Sequence, residues 1–429
     1  MSTGRLASGW SIDEDAHGLI LAAPGGGLRI DQTVAEVAES GRSDRAGRLF
    51  ALATMSVLGR VGALAGIKAT EPKRPAAPDS GPLVSVVIPT FDRADLLEPC
   101  IRSLLDQVYD PLEIVVVDGG STDGTLEMVR SLAPSALIAE AHGNPGFAAA
   151  CNVGVRAASG DLLVLLNNDT VLEPDAIGQL VRVARDRPLR LGAVNAMTRR
   201  DDLRPVIDSL GVLVRMHGFG APRYAGFIDL GQFSKETELF AASFTCVMIP
   251  RVAWDLIGPM DERYGYYYED VDWSFRARMC GLRIQAAPDA LVYHVGSASV
   301  GHGLPPHKRT MVSRNRLLCM GKVLRMRNAA GFARRYVRED LVDLRTALHA
   351  GDRESALAIA RAFVGAAVHA PSIYRARGAL ENWHLVPDDV LFRLSETGLP
   401  IMGPGGLPLL TSGIIRGHYA QLPGMIDPM

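Results

Sequence analysis

The chain has 429 residues, 48% of them hydrophobic and 21% charged, an ordinary composition for a soluble globular protein with two or three domains and a sizeable core. Its 45 Lys and Arg against 47 Asp and Glu give a formal charge of -2, so no overall field favours nucleic acid as a partner. Five cysteines, Cys100, Cys151, Cys246, Cys280 and Cys319, form no CxxC pair and have no zinc-like spacing, which points to reduced thiols in the cytoplasm.

The opening Met1-Ser2-Thr3-Gly4-Arg5 lacks the apolar run of a secretory signal, so export is not expected. Residues 18–22 and 28–30 read as short strands around Pro24-Gly25-Gly26-Gly27, and Asp31 is placed to cap a helix through Ala38. Residues 50–67 are about long enough to span a bilayer, but Arg60 near the middle costs roughly 2.5 to 3.5 kcal/mol on insertion. The helical spacing of Leu49, Ala53, Val57, Val61 and Leu64 predicts a packed soluble helix instead. Residues 1–70 thus form a small α+β appendage, and the proline and charge content of 71–82 marks an extended linker.

After the linker the pattern becomes an alternation of strand and helix. Residues 84–88, 114–117, 136–139 and 162–166 are apolar strands, and Leu96, Leu97, Ile101, Leu104 and Leu105 share one helical face. Such alternation predicts βαβ units, an α/β fold and a mostly parallel sheet. A helix begins near Pro174, and 192–197 is strand-like. From about Val206 the alternation weakens, with strand candidates at 210–214, 244–249 and 290–294 around a helix starting near Glu269, an acceptor-facing half. Amphipathic helices at 332–350 and 353–368 precede a tail rich in proline and glycine, so residues 326–429 form a C-terminal extension to a domain at 83–325.

Three strand ends converge on one crevice if the sheet is doubly wound. They carry Pro89-Thr90-Phe91-Asp92-Arg93, then Asp118-Gly119-Gly120-Ser121-Thr122-Asp123-Gly124, then Asn167-Asn168-Asp169-Thr170. Phe91 is suited to stack on a planar base, Asp118 to accept hydrogen bonds from a base or ribose, and Asp169 to coordinate a divalent ion bridging two phosphates. No GxxxxGKS is present, which excludes a Walker-type ATPase, and no GxGxxG follows the first strand, which argues against a dinucleotide-dependent dehydrogenase. Each element alone has a plainer reading: a turn at Asp118, helix N-terminal acids at Glu269 and Asp270, a structural imidazole at His294.

Taken in order, these motifs resemble the family 2 inverting glycosyltransferases of GT-A fold, and among them rhamnosyltransferase-type enzymes of bacterial cell-surface polysaccharide biosynthesis. The likeness runs through Val84 to Phe91, Val116 to Thr125, Gly146 to Gly154 and Leu165 to Thr170. It continues through Met260-Asp261-Glu262-Arg263-Tyr264, Tyr268-Glu269-Asp270-Val271-Asp272-Trp273 and Tyr293-His294. The resemblance implies a nucleotide-diphospho-sugar donor, dTDP-rhamnose or a UDP-sugar, and Mg or Mn as cofactor. Pro89, Thr90, Phe91, Arg93, Asp118, Asn152 and Asn168 would surround the donor, with Asp169 as the direct metal ligand, His294 as a second one, and Asp270 beside Glu269 as the catalytic base. Two positions depart from the family pattern: Asn167 replaces the usual first acid, and Gly119 the second acid often found after Asp118.

The chemistry asks for the same parts. Inverting transfer needs a base for the acceptor proton and a cation to offset charge on the departing diphosphate, on opposite faces of the sugar. Asp270 opens a predicted helix, where free amides favour a carboxylate. The tyrosines at 264 and 266–268 suit a sugar site, Tyr268 included, and Trp273 and Arg276 are placed to frame the acceptor, with a core Trp and a surface Arg as the plainer reading. Arg314 follows Gly301-His302-Gly303-Leu304-Pro305-Pro306, a segment able to close over the diphosphate.

The appendage resembles the winged-helix domains that bind precursor peptides, on Leu28-Arg29-Ile30-Asp31 followed by Val34 and Val37, which hints at a peptide acceptor beside glycan or lipid-linked ones. Arginines after Gly331 suit peripheral contact with the inner face of a membrane. Two other functions fit the same residues: a nucleotidyltransferase, distinguished by pyrophosphate release, and a non-catalytic nucleotide-sugar or peptide-binding protein, distinguished by the absence of metal-dependent nucleotide binding.

Overall fold

The computed structural model describes residues 74–380 apart from 187–189, 202–203, 205–206, 215–219, 226–228, 230–232, 235–237 and 296–305, together with Asp388 and five short strands nearer the termini. The helices expected within 31–67, the segment 301–305 and most of the tail lie outside the described residues. In the appendage three strands, β1 (Ser11–Asp15), β2 (Gly18–Ala23) and β3 (Gly26–Asp31), form an antiparallel sheet, one strand more than the sequence predicts.

The main sheet has ten strands. It begins with β4 (Ser80–Thr90), α1 (Ala94–Leu105), β5 (Asp110–Asp118), α2 (Thr125–Leu132), β6 (Leu137–Glu140), α3 (Phe147–Ala157) and β7 (Leu162–Leu166). The strands β7, β4, β5 and β6 lie side by side and parallel, as the βαβ alternation requires. Val86, Val87 and Ile88 of β4 and all of Leu163 to Leu166 are fully buried, because helices cover both faces. Each such side chain contributes roughly 1.5 to 3 kcal/mol through burial.

The second half follows with β8 (Thr170–Leu172), α4 (Ala176–Asp186), β9 (Leu191–Arg200), β10 (Ile207–Ser209), β11 (Val212–Val214), β12 (Gly220–Pro222), β13 (Glu238–Leu239) and β14 (Cys246–Pro250). The elements α5 (Arg251–Ile257), α6 (Glu269–Met279) and β15 (Arg283–His294) complete it. Here β14 runs antiparallel between β7 and β9, whereas β15 is parallel to β9. The strand predicted at 210–214 is shorter, β11 at 212–214 paired with β12, and a further strand not predicted, β10, precedes it on the main sheet. Three helices close the chain of well-packed elements: α7 (Pro306–Val323), α8 (Met326–His349) and α9 (Arg353–Leu380). The last is longer than predicted because Pro371 lies inside it without ending it.

The linker is docked on the domain from Arg74 onward. Arg74 pairs with Asp175 at 3.2 Å, and the Gln179 amide donates to the Pro75 carbonyl at 2.8 Å. Ser80 is already in register with Asp110, so the sheet starts before the expected boundary at 83.

One glycine sets how closely α3 lies on the sheet. A Cβ at Gly154 would come within 2.3 Å of Val87 Cγ1 and 2.7 Å of Val117 Cγ2, both in fully buried side chains. Gly154→Ala is therefore expected to destabilise the protein by about 1 to 3 kcal/mol through overpacking, read as a lower urea midpoint with an unchanged slope.

Candidate active site

The strand-end loops at the rim of β4 and β5 are tied to each other. Asp118 is buried at the tip of β5, where its carboxylate accepts from the amides of Gly120 and Ser121 at 3.0 Å each. The Asp92 amide donates to Ser121 Oγ at 2.9 Å, Thr122 N donates to Asp92 Oδ1 at 2.6 Å, and Ala94 N to Asp123 Oδ2 at 3.0 Å. Above this knot Phe91 keeps 40% of its surface open, a free ring face at the rim. A side chain at Gly119 would meet the Phe91 ring at 3.2 Å and the Thr90 carbonyl at 3.4 Å, so the glycine that replaces an acid lets this ring lie down.

At the next strand end Asn168 Nδ2 donates to Thr90 Oγ1 at 3.0 Å, joining the first and fourth parallel strands. The register of β8 on β15 sets Thr170 opposite His294, and Val295 N donates to the Asp169 carbonyl at 2.9 Å. This brings His294 Nε2 to 3.3 Å from Asp169 Oδ1, a buried oxygen with no aligned hydrogen-bond donor. The other ring nitrogen, Nδ1, is 2.9 Å from Asp208 Oδ2 on β10. Burial disfavours an imidazolium here, yet the hydrogen bonds and charges of Asp169 and Asp208 outweigh it and push His294 up to about 10. Asp208 was not singled out in the sequence, where only an isolated acid in a short apolar strand marks it.

The second carboxylate stands at the start of α6, after a loop with an unusual backbone. Tyr267 and Tyr268 both have positive φ, 69° and 73°, a left-handed pair that few non-glycine residues adopt. Asn315 on α7 holds the loop by donating its side-chain amide to the carbonyls of Tyr264, Tyr266 and Tyr267 at 2.8 to 2.9 Å. Asp270 is half-buried, and its Oδ1 accepts from Val271 N at 2.7 Å. Burial pushes this carboxyl up to about 6, against the pull of the amides of Val271 and Phe244. Glu269 beside it is buried with Oε2 unpartnered, and desolvation together with the Asp270 charge pushes its carboxyl well above the usual range. The Phe244 amide reaches Asp270, while the Thr245 carbonyl accepts from Asn167 N at 3.0 Å. Two adjacent residues entering β14 therefore lie between the two carboxylate sites.

Several residues expected at the surface of the site are structural. Trp273 is fully buried and donates its indole to the Gly258 carbonyl at 3.1 Å, and Arg276 is buried on Asp272 and the carbonyls of Ile257 and Pro259. Neither can frame an acceptor, because α6 is buried on nearly all sides. Tyr268 is buried and accepts from Gly220 N through its hydroxyl. Asn152 is buried and cross-ties Met260, through both its backbone groups, and Glu262. Arg314 donates to the carbonyls of Arg263 and Tyr264 instead of standing ready for a diphosphate. Arg93 pairs with Asp95 at the exposed rim and lies close enough to Asp169 to feel its charge.

Beneath α6 a charge cluster joins it to α7. Lys322 donates to Asp261 at 2.7 Å and to Asp272 at 2.9 Å, Arg276 donates to Asp272 at 2.9 Å, and the Tyr264 hydroxyl donates to Asp272 at 3.0 Å. Burial raises the Asp261 carboxyl, but Arg263 and Lys322 hold it well below its ordinary 3.8.

A parallel βαβ sheet whose strand ends carry Asp118 and Asp169, extended by a mixed half that brings up His294 and Asp270, has the layout that the sequence resemblance implies. Comparison with known proteins agrees: residues 85–256 match the model of glycosyl transferase family 2. A PGL/p-HBAD biosynthesis glycosyltransferase of Mycobacterium bovis is 35% identical over 204 residues, 46% of this chain and 70% of that one. The chain belongs to glycosyl transferase family 2. The N-acetylglucosaminyl-diphospho-decaprenol L-rhamnosyltransferase of Mycobacterium tuberculosis is 27% identical over 256 residues, 54% of this chain and 83% of that one. A mannosyltransferase from Pyrobaculum calidifontis, solved with GDP-Man and Mn2+, superposes with a TM-score of 0.43 at 20% identity, covering 74% of this chain and 97% of its own. Of two longer bacterial relatives the chain spans only 26% and 18%.

Removing Lys322 takes away the one ammonium that Asp261 and Asp272 share, leaving each with a guanidinium on one side only, Arg263 and Arg276 respectively. Lys322→Met is expected to cost about 3 to 5 kcal/mol, measured by denaturant unfolding.

Proposed function

We propose that this family 2 enzyme transfers a sugar from a nucleoside-diphosphate donor to an acceptor hydroxyl with inversion, using Asp270 as general base. The observation that carries this reading is the half-buried Asp270 carboxylate at a helix start, pushed up to about 6 and reached by the amide of Phe244, whose neighbour Thr245 accepts from Asn167, two residues before Asp169. A base near neutrality is ionised when needed and still basic enough to accept a proton. The acceptor oxygen gives its proton to Asp270 as it attacks the anomeric carbon, and the bond from that carbon to the diphosphate oxygen breaks as the nucleoside diphosphate departs.

Asp169 and His294 are a suitable donor set for Mg or Mn. Their oxygen and nitrogen, 3.3 Å apart, would hold such an ion from two sides, and the oxygen–nitrogen donor pair suits a hard divalent cation. Among the described residues no group of three such side chains converges. Such an ion, when bound, offsets the charge that builds on the leaving diphosphate. Asp208, holding the far side of the imidazole, fixes the ring so that Nε2 faces Asp169.

Phe91 offers a face for the nucleobase, and Asp118 and Thr90 line the same edge. The relatedness to a rhamnosyltransferase that acts on a diphospho-decaprenol-linked sugar favours dTDP-rhamnose, with a UDP-sugar as the other candidate, and a lipid-linked glycan acceptor. The test is a panel of nucleotide sugars with Mn or Mg. Release of nucleoside diphosphate supports transfer, and release of pyrophosphate would overturn it in favour of nucleotidyl transfer.

Asp270→Asn is expected to lower transfer by about 10²- to 10⁴-fold while donor binding persists. In the native enzyme the base works only when deprotonated, so kcat/KM should fall as pH drops through about 6. Chelation should abolish turnover, and calorimetry should show Asp208→Ala weakening Mn binding by about 10- to 100-fold.

A further inference from the structure

The long C-terminal helix α9 has two unlike sides. Ala356, Ile359, Ala362, Ile373 and Leu380 are buried, with α7 and α8 as neighbours, while the opposite side is open. On that open side Leu357, Arg361, Val364, Val368 and Arg375 fall within an arc of about 60° at 100° per residue, and Val364 and Val368 are 64% and 69% exposed. From 355 to 380 the helix contains no Asp or Glu. By length and composition α9 passes as a membrane span, and it is the one helix among the described residues to do so, yet one side is packed against protein. Its chemistry suits lying on a bilayer rather than crossing it.

The neighbouring α8 repeats the pattern. Arg334, Arg338, Leu341, Arg345 and Leu348 are all exposed and lie within about 80° of one another. The ion pairs of this helix, Arg335 with Glu339 and Asp343 with Arg309, lie away from that stripe. Two adjacent helices thus present apolar side chains interleaved with arginines and without acids.

We propose that the open sides of α8 and α9 form a docking surface for an anionic lipid bilayer, with Leu357, Val364 and Val368 entering the headgroup boundary and the flanking arginines meeting lipid phosphates. Charge decides the occupant. A second copy of the same acid-free surface would set arginine against arginine, whereas an anionic leaflet answers both the apolar stripe and its charge. The inference is independent of the donor, metal and base assigned above, because binding to lipid requires none of them.

The test is sedimentation of the full chain with vesicles of phosphatidylcholine alone or with about one-third phosphatidylglycerol. Binding is expected only to the anionic vesicles and should weaken as salt rises. Arg361→Glu with Arg375→Glu should reduce partitioning at least about tenfold, since each basic residue near the surface is worth about fivefold. The pair Arg361→Lys with Arg375→Lys should retain it. Val364→Asp with Val368→Asp should abolish it while circular dichroism and sugar-nucleotide turnover stay unchanged, as both side chains point away from the fold. No binding to anionic vesicles, equal binding to both kinds, or a concentration-dependent dimer lost in the Val364/Val368 variant would overturn the proposal.

Discussion

The contact on which the site depends is the ammonium of Lys322 between the carboxylates of Asp261 and Asp272. Asp272 is fully buried and also receives Arg276 and the Tyr264 hydroxyl, so α6 has one rotational setting in which its charges are satisfied. Asp270, two residues earlier and about 200° around the helix, is turned outward by the same setting. Asp261 lies at the other end of the tyrosine loop, so Lys322 of α7 fixes both ends of the segment that delivers the carboxylate. Asn315, two turns before it on α7, supplies donors for the loop carbonyls in between. Helix α7 is therefore part of the site's scaffold.

The two charged centres of the site are built by different means. At Asp169 and His294, cross-strand register alone brings an acid and an imidazole together from residues 125 positions apart, and Asp208 adds a third element from β10. At Glu269 and Asp270 the two acids are adjacent in sequence and are separated chemically by depth: burial pushes the deeper one further up, and the shallower one keeps backbone amides that favour its charge. Like-charged neighbours that titrate apart are a recurrent means of leaving one carboxylate free for proton transfer.

Much of this was legible in the sequence because it is periodic. The run Leu162 to Leu166 matches β7 residue for residue, and the three polar strand ends follow from the parallel topology. The antiparallel insertion of β14 was not legible, since a short apolar strand carries no mark of its direction. Trp273 and Arg276 were misplaced because a helix buried on nearly all sides hides its polar residues in the core, where amphipathic reasoning puts them outside. Lys322 did leave a signal, a lone cation inside Leu317-Leu318-Cys319-Met320-Gly321-Lys322-Val323-Leu324, since an ammonium amid apolar neighbours needs a buried counter-charge. Its partners 50 and 61 residues away could not be named without the fold.

One close crossing of backbones has a mechanical meaning. At Gly146 a Cβ would stand 2.9 Å from the Gly265 main chain, and Ala148 N donates to the Gly265 carbonyl. Two peptide segments that touch with no side chain between them have no slack to absorb a shift. Any excursion of the tyrosine loop must drag the first turn of α3 with it, so the halves of the crevice open and close as one coupled hinge and not as independent flaps.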